Sequence, residues 1–450
     1  MEYPPGKMTK NIRRIFFAFF FLIFLILSPA IILYTSGYRY DWQNGLLRET
    51  GAIDIDVEPK DAAVFLNDIK VKTKMPARLN DRVPGQYKIQ LRANDYYEWD
   101  KIVEVKNKET IYIKEISLLK KNEPETMSDE PAIDLALSPD GQYLAAVVRQ
   151  NNSSEIRLRQ PLVENSQEQT IARFPADKKI ELTWAGDYDW LAVSDAQSPH
   201  QIILLFNATQ PNEPTDLIKI AQAPIQKFQW KKGAAPELYF STNKKIMSWV
   251  GQSEQILTLG ANKYRDWLMD NDQLWTIQAT GTTGIKIVRD TLGFSSTYAN
   301  ETAFDPNEQD LAIVAAGQDR ILLKKNGRSE MSLFSNGQKY NISGENFVIS
   351  KNNNWWVIWT PWEIWTSSPN EAPYLLNRSG EQLRRVLPMD KWNTLCLVWS
   401  AKTTALFPYY LVTNDLLNLS VSAAAADAEN KILYFSGKIG SKEGVWKLGY

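Results

Sequence analysis

Carboxylates set in turns are the side chains of this chain best placed for chemistry. Asp140, Asp187, Asp189, Asp270, Asp272 and Asp305 each sit in a polar turn between two apolar runs. Brought together in one cleft, two such groups could act as general acid and base, or several could hold a cation. Alone in a turn, an aspartate more often caps backbone N–H groups or stays in water. No spacing among the six repeats as a metal site.

Other reactive groups are few. His200, in D-A-Q-S-P-H-Q, is the one histidine, so a Ser-His-Asp triad, a Cys-His pair or a His-based metal site would have to use it. Its surroundings read as a turn, which makes it structurally incidental. Cys396, the one cysteine, lies in T-L-C-L-V-W and reads as a buried core thiol. A single cysteine also excludes an internal disulfide framework, as in a bacterial envelope protein. No G-x-S-x-G, H-E-x-x-H, P-loop or G-x-G-x-x-G is present. No catalytic, cofactor-binding or metal-ligating residue is therefore assigned, no cofactor is expected, and the chain does not read as an enzyme.

Aromatic faces offer a different chemistry, recognition. Trp355, Trp356, Trp359, Trp362 and Trp365 fall in W-W-V-I-W-T-P-W-E-I-W. On one strand, Trp355, Trp359 and Trp365 would share a side, and Trp356 and Trp362 the other. One set would fill a core; the other could stack on a sugar ring or a partner side chain. Pro361 interrupts the strand and weakens this parity.

These residues are positioned by a succession of short strands. One pattern recurs: an apolar strand, a polar turn, a second apolar strand. It runs A-L-S-P-D-G-Q-Y-L-A-A-V from Ala136, L-T-W-A-G-D-Y-D-W-L-A-V from Leu182 and F-Q-W-K-K-G-A-A-P-E-L-Y-F from Phe228. Further copies start at Asp266, Ala303, Val348, Leu397 and about Ala424. Aligned on the residue before the turn, Ser138, Trp184, Trp230, Trp267, Phe304, Ile349 and Trp399 fall in register. Their spacing matches the roughly 40 to 45 residues that a four-stranded propeller blade needs. Trp184, Trp230 and Trp399 would then recur at one equivalent place as core packing. The turn S-P-D-G-Q-Y-L-A (Ser138 to Ala145) resembles the TolB-type and WD-related β-propellers. Seven or eight blades fit, eight being favoured. The last copy lacks a fourth strand, which Ile113 to Leu119 or the linker after it could supply.

Before the repeats, residues 51–119 alternate apolar and polar side chains in five or six short strands, as in Ile53 to Val57, Ala62 to Leu66 and Tyr87 to Arg92. This segment resembles the PEGA domain, a small β-sandwich. Pro59, Ala62 and Val64, then Pro76 and Leu79, then Pro84, Gly85 and Tyr87, and Tyr96 carry the likeness. Asp61, Asn67-Asp68 and Met75 depart from it. The resemblance implies a surface module for adhesion or spacing, with no active site.

The run from Ile15 to Leu33 has no charge and spans close to 30 Å as a helix, a bilayer's hydrocarbon thickness. Lys7, Lys10, Arg13 and Arg14 precede it, which puts the N-terminus in the cytoplasm and the rest outside. Tyr34, Tyr38, Tyr40 and Trp42 form an aromatic belt beyond it. A signal peptide cleaved near Ser28-Pro29-Ala30 is the rival reading. The expected organisation is a basic tail (1–14), a transmembrane helix (15–34), a connector (35–50), a PEGA-like sandwich (51–119), a linker (120–131) and a propeller (132–450). With 51 basic and 52 acidic residues there is no electrostatic case for nucleic acid. The arrangement, with G-Y-R-Y (Gly37 to Tyr40) after the anchor, resembles PEGA-domain propeller proteins of bacteria with reduced genomes. It implies a single-pass plasma-membrane protein with extracytoplasmic domains, whose partners are the bilayer and an envelope protein or glycan. The alternatives are a propeller-based hydrolase or lyase using the turn carboxylates, and a purely structural spacer.

Overall fold

The computed structural model describes residues 10–41, 45–186, 189–231, 236–243, 245–251, 255–261, 264–270, 273–280, 284–291, 294–297, 311–317, 320–325, 327–335, 337–349 and 355–450. The chain divides into two compact units, Met1–Lys121 and Asn122–Tyr450. Apart from one long N-terminal helix and the short helix Leu217–Ala221, the described regular structure is β.

The first unit opens with the helix Lys10–Thr35. The most apolar 18-residue window of its stretch Asn11–Thr35 has a mean hydropathy of 2.9, and none of that window is buried against the protein. A hairpin follows, Tyr38–Asp41 paired with Leu46–Glu49. Beyond it, two sheets form a small β-sandwich. Gly51–Glu58 lies between Ala77–Arg82 and, in parallel, Thr110–Ser117. The other sheet runs Ile69–Lys70, Ala63–Leu66, Gly85–Arg92, Trp99–Val105. Alternation places Ile53, Ile55 and Val57 in the core, with Asp54 and Asp56 half-buried on the outer side. Asn67 and Asp68 adopt left-handed backbone at φ 50° and 66°, a geometry that these side chains tolerate. Ala77–Arg82, A-R-L-N-D-R, is too polar to read as a strand and is held by its place beside Gly51–Glu58.

The second unit is a β-propeller. Its described residues hold eight four-stranded antiparallel sheets, each built from consecutive strands except the last. The first strands are Ala132–Leu137, Ile180–Trp184, Lys227–Trp230, Asp266–Asp270, Leu311–Gly317, Asn346–Ile349, Leu383–Pro388 and Val421–Asp427. They lie side by side around a central channel. Apolar clusters fill the spaces between neighbouring sheets. Ala145, Val147, Leu191 and Val193 join the first and second. Leu135, Ala146, Ala425 and Tyr434 join the eighth back to the first. The eighth sheet is completed from the linker: Glu125–Ser128 pairs with the C-terminal strand Lys442–Gly449.

The turn between first and second strands is closed the same way in several sheets. The backbone N–H of the residue after the first strand donates across the turn: Ser138 to Tyr143 O at 2.8 Å, Ala185 to Trp190 O at 2.8 Å, Lys231 to Glu237 O at 2.8 Å, and Met389 to Thr394 O at 2.8 Å. Trp184 and Trp230 end their first strands and make equivalent bonds. Trp184 Nε1 donates to Ala136 O, and Trp230 Nε1 to Thr183 O, both at 3.0 Å and both to the preceding sheet. Trp399 does not belong with them. It ends a second strand, Leu395–Trp399, and its Nε1 donates to Thr404 Oγ1 at 2.9 Å. The copy read from Leu397 is thus one strand out of frame, because L-V-W-S-A-K-T-T-A-L-F has the same apolar–turn–apolar outline as a true first turn. Trp267 is the second residue of its first strand and does not border the turn. Phe304 lies outside the described residues.

Gly141 of S-P-D-G has φ 76°, and a Cβ there would come within 2.6 Å of Asp427 Oδ2. The motif's glycine thus serves a left-handed turn and a close approach of the first sheet's turn to the eighth's.

An ion network centred on Arg157 and the buried Glu155 holds the outer part of the first sheet. Arg157 reaches Glu130 at 2.7 Å, Glu155 at 3.0 Å and Glu168 at 3.0 Å; Arg173 bonds Glu155 at 2.9 Å. Burial raises the Glu155 carboxyl, but its hydrogen bonds to Arg173 and Arg157 outweigh burial and hold it below the ordinary 4.5. Arg157→Met should cost roughly 3 kcal/mol, the usual loss when one partner of a buried pair is removed. Glu155 stabilises the fold above its ordinary value and loses that effect as pH falls through its depressed one. The gap between wild type and mutant, read from urea midpoints, should therefore narrow on acidification. An unchanging gap would place the loss in packing.

Candidate functional site

The tryptophan cluster divides between core and surface. Trp355 and Trp359 are buried between the sixth and seventh sheets, with Leu395 and Trp399. Trp356 is fully buried between the fifth and sixth, beside Ile358, Leu322 and Leu333, and Trp365 packs half-buried on the same side. Trp362 is 50% exposed, in the turn between Trp356–Trp359 and Glu363–Ser367. The single-strand parity fails because Pro361 ends one strand and the turn reverses the chain. Trp365 therefore faces with Trp356, not with Trp355 and Trp359. Of the five indoles, Trp362 is the one offered to solvent.

Of the turn carboxylates, Asp187, Asp272 and Asp305 lie outside the described residues. Asp140 and Asp189, from the first and second sheets, come together. Burial raises the Asp189 carboxyl, and Asp140 beside it raises it further. Burial, and then Asp189 and Asp140, raise the Tyr143 phenol, whose ring stacks on Trp184 at 6.4 Å. Asp140 works as a turn cap: Ser138 Oγ and, at 3.0 Å, Gln142 N donate to its Oδ1. Asp270 is buried at the end of its strand and lines the channel, apart from that pair. Among the described residues no group of three or more His, Cys, Asp or Glu is placed to hold a metal.

His200 is committed to its own turn. Its Nδ1 donates to Asp195 O at 2.7 Å, and its ring meets Phe228 edge-on at 5.2 Å. The Asp195 carboxylate accepts from Gln201 N and Ile202 N, each at 3.2 Å. Cys396 is fully buried, which pushes its thiol up to about 12.

The central channel holds polar groups that the turns did not reveal. A cavity of about 950 Å³ opens between the first strands of the third to sixth sheets, and a second of about 490 Å³ between those of the sixth to eighth. Lys227 Nζ bonds the Asp266 carboxylate at 2.9 Å and Ile313 O at 3.0 Å, while Ile313 N donates to Asp266 Oδ2 at 2.6 Å. One ion pair thus ties three sheets. Gln229 exchanges two bonds with the Met269 backbone, at 2.7 and 3.1 Å. Arg385 Nη1 reaches Asp134 Oδ1 at 3.0 Å, from the seventh sheet to the first. The strand between them is V-S-A-A-A-A-D, whose small side chains leave room for that reach. These carboxylates are paired with cations, not with one another. The signal that could have found them is a charge inside an apolar first strand, as in K-F-Q-W, D-W-L-M-D and A-I-D-L-A-L.

No protein-family model matches this sequence, and no curated protein matches it. Solved structures match at the level of the fold. The chain is similar to the beta-propeller domain of Cps50 (Swd1) from Myceliophteria thermophila, at 9% identity and a TM-score of 0.42 over 72% of this chain and 98% of that one. It is similar to Sqt1 from Saccharomyces cerevisiae, at 9% identity and a TM-score of 0.46 over 74% and 100%. A chain of a mitotic checkpoint complex is similar at 10% identity and a TM-score of 0.40 over 74% and 93%.

Proposed function

We propose that this chain is a membrane-anchored, non-catalytic binding protein of the bacterial cell envelope. Its helix holds a PEGA-like sandwich and an eight-bladed TolB-like propeller outside the plasma membrane, for a protein or glycan partner. The observation that carries the reading is the helix: Asn11–Thr35 is long and apolar enough to cross a bilayer, and none of its most apolar window is covered by the rest of the chain. Such a surface in water would be costly, and a bilayer removes the cost. Against a catalytic role stand the engagements of the candidate groups. His200 is bonded within its turn, Asp140 caps its own turn, and the channel carboxylates Asp134 and Asp266 are held by Arg385 and Lys227. Trp362 is the recognition residue we assign, as a half-exposed indole on the sixth sheet.

Two measurements test this. In cells, the full-length protein should resist alkaline extraction from membranes and keep its own N-terminal mass; a chain beginning near residue 31 in the soluble fraction would establish a signal peptide instead. In detergent, the immobilised full-length protein should capture an envelope protein or glycan saturably. Trp362→Ala should weaken that capture roughly tenfold, as loss of an interfacial indole commonly does. Capture unchanged by Trp362→Ala would remove the assignment of that residue, and no capture from either source would favour a spacer.

A further inference from the structure

The membrane attachment extends past the helix. We infer that the paired strands Tyr38–Asp41 and Leu46–Glu49 are a second membrane contact, their outer apolar side chains lying in the bilayer interface while their inner ones bolt the helix to the sandwich. The inference rests on the anchor reading proposed above.

The joint comes first. Ser36 and Gly37 alone separate the helix from the hairpin. Gly37 has φ 83°, a left-handed turn suited to glycine, and its carbonyl accepts from both Thr50 N at 2.9 Å and Thr50 Oγ1 at 3.0 Å. Arg39 spans the turn: its guanidinium lies 3.7 Å from the Tyr34 ring centroid, its Nη1 donates to Tyr34 O at 2.7 Å, and its Nε meets Asp81 of the sandwich at 2.7 Å. Tyr38 is engaged by the hairpin and the sandwich. Its hydroxyl donates to Glu49 at 2.6 Å, and Lys108 of the sandwich reaches Glu49 at 2.9 Å and covers the Tyr38 ring at 4.7 Å. Gly37, Tyr38 and Arg39 between them thus tie helix end, hairpin and sandwich together.

Depth follows from the helix. If Ile15 to Leu33 fills the hydrocarbon, Tyr34 and Thr35 rise only about 3 Å above it, while each interfacial layer is about 5–7 Å thick. The bolted hairpin starts within that layer and cannot swing freely out of it. Its exposed side chains suit the place. Tyr40 (49% exposed) and Leu47 (47%) pair across the strands on one face, and Leu46 (59%) lies on the other. Tyrosine next to a crossing helix is an interfacial residue, apolar in body and polar at the tip, and exposed leucines beside it gain from leaving water. Trp42, also expected in the belt, lies outside the described residues.

The test uses the full-length protein in phosphatidylcholine–phosphatidylglycerol vesicles. Its native thiol is silent, since Cys396 is fully buried. Single Leu47→Cys, Leu46→Cys, Asp61→Cys and Leu25→Cys variants would each carry an environment-sensitive fluorophore. None of the four side chains is covered by the rest of the chain, so folding is spared. Labels at positions 46 and 47 should be blue-shifted, quenched by shallow nitroxide lipid and shielded from aqueous iodide. The label at 61 should show the reverse, and that at 25 should be quenched by deep nitroxide lipid. Iodide quenching at 46 and 47 equal to that at 61, with 25 in lipid, overturns the hairpin contact and leaves the anchor standing. Iodide access at 25 overturns both.

Discussion

Gly444→Ala should open the propeller. A Cβ at Gly444 would stand 2.1 Å from Ser128 O, 3.2 Å from Ser128 C and 3.3 Å from Asp129 Cα. All three are backbone atoms, so no side chain can rotate away; the closing strand Glu125–Ser128 must shift as a body. That strand is held by three pairs, Glu125 with Lys447, Thr126 with Trp446 and Ser128 with Val445, and by Asn122 Nδ2 bonding Gly449 O at 3.0 Å. It is also short and at an edge, so it has little else to resist displacement. The expected cost is about 2–4 kcal/mol, toward the upper end for forced overpacking. A second readout separates release of the strand from general weakening: residues 122–131 should become the first site of limited proteolysis under native conditions. Gly440→Ala is the control. Its φ of 60° makes alanine unfavourable, but nothing lies within 4 Å of the new Cβ. It should lose only about 1–2 kcal/mol, the left-handed penalty, without exposing the closing strand to protease. If Gly444→Ala matched wild type in both unfolding midpoint and protease pattern, the strand would not be seated where the structure puts it.

The closing strand also shows where reading the sequence stops. Strands with one buried face announce themselves by alternation, so Ile53 to Val57 and the first-strand pattern at Ala136 were legible without coordinates. E-T-M-S has no such pattern; it is a strand because Lys442–Gly449 offers it an open edge. Trp399 failed for the opposite reason. A period of two cannot tell a first turn from a second, and only pairing with Thr403–Phe407 assigns it. The channel ion pairs were invisible because their partners come from different sheets: Lys227 and Asp266 are each unremarkable in their own strand. Asp140 and Asp189 were both named as turn carboxylates, yet nothing in their spacing said that adjacent sheets would bring them together. The indole cluster needed one fact beyond composition, that Pro361 makes a hairpin turn and not a kink in a single strand.

That distinction sets opposite outcomes for two tryptophans six residues apart. Trp356→Ala should cost about 3–5 kcal/mol, the range for emptying a large core site. The indole is fully buried, and its loss leaves a void between the fifth and sixth sheets beside a buried cation. The Arg320 guanidinium lies 4.3 Å from the Trp356 ring centroid and donates to Ser367 O at 2.9 Å and to its Oγ at 3.2 Å. Removing the ring takes away a desolvated cation–π contact, worth around 2 kcal/mol, and lets the void border the charge. Trp356→Phe keeps an aromatic face under Arg320 and should recover part of the loss. Because void and cation share one site, Trp356→Ala combined with Arg320→Met should lose less than the sum of the single changes. Trp362→Ala, by contrast, should leave the unfolding midpoint within about 0.5 kcal/mol of wild type, as exposed substitutions do. A loss of capture in Trp356→Ala would therefore report damage to the core, and the same loss in Trp362→Ala would report binding. Equal destabilisation by the two would mean that the turn at Pro361 packs as core, and would leave the cluster with no indole to offer a partner.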